Sequence, residues 1–72
     1  MEKKYVLLAR DEMDCLEDGV DEFFILNKKE MCDRVNQFIN AECGDEEAFS
    51  EEYAVFEKVG EEWVEIDYKK FL

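Results

Sequence analysis

Apolar positions along the chain fall into separate blocks divided by acidic stretches. Tyr5-Val6-Leu7-Leu8-Ala9, flanked by Lys3, Lys4 and Arg10, is a continuous apolar run with β-branched and aromatic content. It predicts a strand buried on both faces or central in a sheet. Asp11 to Asp18 forms an acidic connection that ends in an Asp18-Gly19 turn signal. Val20 to Leu26 predicts a second strand with Phe23, Phe24, Ile25 and Leu26 as its apolar part. From residue 28 the period changes. Met31, Cys32, Val35, Phe38 and Ile39 recur at three- and four-residue spacing, while Lys28, Lys29, Asp33, Arg34, Asn36 and Gln37 cover the other side, as in an amphipathic helix. Asn27 is a good N-cap and Glu30 completes a capping box. Gly44 suits a left-handed helix end, which places the helix over 28–42.

After an acidic loop (Asp45 to Glu51), two stretches, 53–59 and 62–68, flank Gly60-Glu61. A Gly-first loop of two residues suits a type II′ hairpin. That register sets Val55 opposite Ile66 and Tyr53 opposite Tyr68, with Val64 on the same face. Phe56, Lys58, Trp63, Glu65 and Asp67 then share the other face. A three-residue loop would shift the pairing by one and bring Phe56 beside Val64. The fold class expected is α+β, in the order β-β-α-β-β: an antiparallel sheet of about four strands with one helix packed on one face. The second face then has no helix over it. Phe56 and Trp63 on that face read in two ways: a partner or self-association surface, or residues packed under the Asp11–Asp18 connection or the terminal Phe71-Leu72.

With 72 residues the chain is a single domain, 1–72, of 47% hydrophobic and 14% aromatic composition. A disordered acidic tail would be poor in both. The formal net charge is −12, from 21 acids and nine bases. That argues against direct binding to nucleic acid or to an anionic membrane, which need Lys and Arg to displace counterions. It suits a protein partner with a basic surface, including one that normally holds nucleic acid; solubility alone is the other reading. The acids gather in two clusters. Asp11, Glu12, Asp14, Glu17, Asp18, Asp21 and Glu22 surround the first connection, and Glu42, Asp45, Glu46, Glu47, Glu51 and Glu52 follow the helix. No base lies between Arg34 and Lys58. The candidate partner-binding residues are therefore Asp11, Glu12, Asp14, Glu17, Asp18, Glu46, Glu47, Glu51, Glu52, Phe56 and Trp63. If the clusters share one side they present a negative track; if not, they are solvated loops.

Candidate chemistry is sparse. Histidine and threonine are missing, and the one serine, Ser50, stands in an acidic run with no base to activate it. No Cys-x-x-Cys pair or glycine-rich phosphate loop occurs. Cys15 and Cys43 have acidic neighbours, which disfavour a thiolate, and Cys32 falls on the apolar stripe. Aligned as a calcium loop from Asp14, the segment puts Leu16 and Ile25 where oxygen ligands belong. No catalytic residue, metal ligand or cofactor is assigned, and the chain reads as a non-enzyme. Three cysteines at irregular spacing, no charged-then-apolar leader and no apolar run near ~20 residues point to the cytoplasm, or the host cytoplasm for a phage-encoded protein.

Small size, strong acidity, an α+β build and the lack of catalytic residues resemble a class of phage-encoded antagonists of host defence or nucleic-acid machinery: the DNA-mimic, anti-restriction and anti-CRISPR proteins. The resemblance rests on this profile and aligns no residues. It implies an inhibitor that blocks a basic nucleic-acid channel or locks a partner's conformation. Two other classes stay open. One is a self-associating structural or accessory protein that forms a homodimer through the open sheet face. The other is a small-molecule or nucleotide-binding module, whose basic pocket would draw on Lys3, Lys4, Arg10, Lys28, Lys29, Arg34, Lys69 and Lys70.

Overall fold

The computed structural model describes residues 3–72, which form an α+β domain around a three-stranded antiparallel sheet. Strand β1 (Tyr5–Ala9) pairs with β2 (Tyr53–Val59), and β2 with β3 (Glu62–Ile66), so the longest strand is central. The hairpin takes the two-residue register, with Val55 opposite Ile66 and Lys58 opposite Trp63. Gly60 has φ +65 and, among the described residues, no non-glycine residue has a positive φ, which is the type II′ pattern. The strand ends before Tyr68, which lies in a 3-10 turn, Tyr68–Phe71.

The helix starts as its capping box dictates. Asn27 Oδ1 accepts from the Glu30 amide at 2.8 Å, and Glu30 Oε1 accepts from the Asn27 amide at 3.0 Å. Helix α2 (Lys28–Gln37) then widens into a π-helical turn over Phe38–Cys43 and stops at Gly44, φ +86. The widening has a cause in the sequence. At 3.6 residues per turn, Glu42 would follow Val35 and Phe38 onto the buried stripe. A turn closed five residues on puts Cys43 there instead; Cys43 is half-buried and Glu42 exposed.

Two expectations need correction. The strand over Val20–Leu26 is reduced to one bridge, Leu26 with Tyr5. Asp21 Oδ1 accepts from the Phe23 amide at 3.0 Å and bends Glu22–Phe24 into a 3-10 turn. That local side-chain bond competes with sheet pairing and wins. The sheet accordingly has three strands in place of four. The acidic loop after Gly44 is a helix, α3 (Glu46–Glu52), so the single helix expected is joined by others. Asp45 Oδ1 caps it by accepting from the Ala48 amide at 2.7 Å, and Glu46 and Glu47 in its first turn complement the helix dipole. A four-residue helix, α1 (Cys15–Asp18), interrupts the first acidic connection.

Both sheet faces are covered. On one, α2, α3 and the terminal 3-10 turn bury Tyr5, Met31, Val35, Ile39, Phe49, Val55 and Phe71 in the main core. On the other, Val6, Ala54 and Phe56 are buried beneath Met13, Leu16 and Val20 of the acidic connection, which acts as a roof. The open face expected for the sheet is therefore occupied by the chain's own acidic segment.

Candidate functional site

The strand pairing decides where the acidic clusters go. Ala9 is opposite Tyr53, so the end of β1 and the start of β2 lie side by side. The first cluster begins just after Ala9, and the second ends just before Tyr53, because α3 runs into β2 without a loop. Residues 40 positions apart thus become neighbours. Ala9, Arg10, Asp11, Glu51, Glu52 and Tyr53 line one shallow cleft of about 420 Å³. Arg10 holds the junction: its Nε donates to the Ser50 carbonyl at 2.9 Å, and Nη2 lies 3.7 Å from Glu65 Oε2. A cation at the last carbonyls of α3 also suits the negative helix end.

The tyrosines register the negative potential. Burial raises the Tyr53 phenol above its ordinary value, and Cys43, Glu52, Glu42 and Glu12 add to the shift from three different segments. The Cys43 thiol is likewise pushed up by burial, then by Glu52, Glu42 and Asp45, so it stays protonated and unreactive near neutral pH. Tyr68 donates to Glu46 Oε1 at 3.4 Å; its phenol is raised by burial first and then by Glu46 and Asp67. Among the described residues, two ion pairs form, Arg10 with Glu65 and Lys3 with Glu57. No set of three His, Cys, Asp or Glu residues comes together there as a metal site.

Of the acids expected at a site, Asp11, Glu12, Glu51 and Glu52 meet at this end, and Glu46 stands farther along, beside Tyr68. Asp14, Glu17 and Asp18 do not line the cleft; they ride on the roof, and Glu47 is exposed on the first turn of α3. Phe56 follows the second of its two expected readings: at 3% exposure it is packed under the acidic connection, in the core beneath the roof, and is not exposed as a partner-binding residue. Trp63 is half-buried against that same cluster, with Lys58 Nζ 5.1 Å from its ring centroid. The sheet face suggested for a homodimer is covered for the same reason. Sequence reading missed the exposed aromatics, Phe23 at 84% and Phe24 at 58%, having placed both in a strand. Arg10 and Glu65 were missed at the site because the expected site was drawn from acidic clusters and aromatics, and only the folded chain brings Glu65 to Arg10.

Several lysines gather toward the opposite end, among glutamates that include Glu30 and Glu57. Lys3, Lys28 and Lys29 line a cleft with Tyr5 and Asn27, and the Lys58 amide donates to the Lys4 carbonyl. The chain matches no protein-family model, and no curated protein or solved structure matches it.

Proposed function

We propose that this chain is a non-enzymatic binding protein whose acidic end docks on a basic, normally nucleic-acid-binding, surface of a partner protein, as in the phage-encoded antagonists it resembles. What carries the reading is the meeting of Asp11 and Glu12 from one acidic cluster with Glu51 and Glu52 from the other at the Ala9–Tyr53 end, with Arg10 as the cation between them. Carboxylates concentrated at one end speed and orient encounter with a basic surface. The reactive groups near them are kept protonated, which suits recognition and not catalysis.

The test compares two triple variants with the same change in charge. One carries Asp11→Lys, Glu51→Lys and Glu52→Lys in the cleft; the other carries Asp33→Lys, Glu61→Lys and Glu62→Lys away from it. Tagged protein captures its partner at ~0.15 M salt and releases it toward ~1 M, as the Debye length falls from about 8 to about 3 Å. The first variant should lose the partner and the second keep it, and an oligonucleotide should compete for the captured protein. Equal loss in both variants would reduce the effect to net charge, and capture indifferent to salt and to charge reversal would end the proposal.

A further inference from the structure

The bend at Asp21 leaves part of the sheet unfinished. Continuing the Tyr5–Leu26 bridge would pair Leu7 with Phe24 and Ala9 with Glu22, but the chain turns away. Tyr5 exchanges two backbone bonds with Leu26, at 2.9 and 2.8 Å. By strand alternation, the Leu7 and Ala9 backbone groups face that same side; among the described residues neither Leu7 nor the Ala9 amide has a backbone partner there, while the Ala9 carbonyl opens the 3-10 turn Arg10–Glu12. In place of a strand there is an apolar groove lined by Leu7, Leu8, Cys15, Val20 and Phe24. It is bordered by Glu12 and Asp21, with no Lys or Arg in its lining. Phe23 and Phe24 meet edge to face at 5.5 Å beside it, both exposed.

We infer that this groove takes an extended basic segment of the partner as a further strand on β1, with its apolar side chains against Leu8, Val20 and Phe24 and its Lys or Arg side chains toward Glu12 and Asp21. An unpaired edge supplies main-chain bonds, and alternate side chains supply selectivity. Charge chooses the occupant. A second copy on this edge would set Glu12 and Asp21 against their own kind in a molecule of net charge −12, whereas a basic strand neutralises them. Glu12 also acts on Tyr53, so the groove adjoins the acidic end. The inference rests on the docking function proposed above and names the kind of segment that is held.

The probes are a capped peptide of alternating lysine and valine and the same peptide N-methylated at alternate amides. N-methylation keeps charge and apolar content but removes strand bonds. The unmodified peptide should slow hydrogen exchange at the Leu7 and Ala9 amides about tenfold, and the methylated one should not. Phe24→Ser, at an exposed position, should weaken binding about tenfold, the scale of one partly buried aromatic side chain. Equal binding of both peptides without protection at Leu7 and Ala9 would overturn strand addition while leaving charge docking intact. Binding of neither peptide overturns the inference, and the cleft-reversal variant decides docking separately. Protection that rises with protein concentration alone would assign the edge to a second copy, against the inference.

Discussion

The two faces of the sheet are built differently. The helical side rests on seven buried residues, among them Phe49, Phe71 and Met31, with helices capped by Asn27 and Asp45. The roofed side rests on three, Val6, Ala54 and Phe56, under side chains that are only half-buried. On the roof, Asp14 precedes α1 without forming a cap bond, and α1 has four residues. One face supplies stability; the other is a thin cover carrying much of the charge. Regions with few buried contacts open first and are where binding segments are drawn from, which fits a groove bounded by the roof.

Substitutions can break that comparison. Phe49→Ala should cost the most, about 3–5 kcal/mol, a large share of a small domain's stability. Phe56→Ala should fall near 3 kcal/mol or below, because a thin roof can settle into the space. Urea midpoints measure both, and equal losses would mean that the faces are equally rigid. Asn27→Ala should cost about 1 kcal/mol through the lost capping box, and Asp14→Ala should lie within about 0.5 kcal/mol of no change, since it makes no cap bond.

Leu16→Ala sharpens the contrast further. A roof that opens easily limits what its loss can cost, so the global midpoint should move by about 0.5 kcal/mol or less. Amide exchange over 11–18 should nonetheless accelerate markedly while α2 is unaffected. Alkaline pH should show the least effect near neutrality. Tyr5, Tyr53 and Tyr68, all on the helical side, have phenols raised above 10.0 by burial first. The folded state holds those protons more tightly than the unfolded chain does. Their stabilisation is therefore complete below pH 10.0 and is lost as pH rises through the raised values. Thermal midpoints should be flat to about pH 9 and fall above 10; a rise there would contradict the assignment.

Much of the helical side was legible because its signals are local. The Asn27–Glu30 box, the stripe of Met31, Val35 and Ile39, and Gly44 each act within a few residues. So does the Gly60 turn, which determined the Val55–Ile66 register. The roof was less legible. Met13, Leu16 and Val20 have the three- and four-residue spacing of a helical face, but it is diluted by seven acids between Asp11 and Glu22. The strand expected over Val20–Leu26 failed because one Asp21 side-chain bond redirects a segment of high β propensity. Asp45 and Phe49 were the readable signs of α3, masked by the charge around them. The acidic end depended on a long-range pairing, Ala9 with Tyr53, that no local pattern encodes.

The cleft end gathers Asp11, Glu51 and Glu52, whereas the other end of β1 sets Lys3, Lys28 and Lys29 among Glu30, Glu57 and Glu62, so the net charge of −12 is spread unevenly along β1 and the molecule has a dipole moment as well. A charged partner therefore exerts a torque on it before contact. The domain would turn with Asp11, Glu51 and Glu52 leading and Lys3, Lys28 and Lys29 trailing. Fewer encounters would then be wasted on the wrong face, and adding salt would randomise the approach as well as slow it.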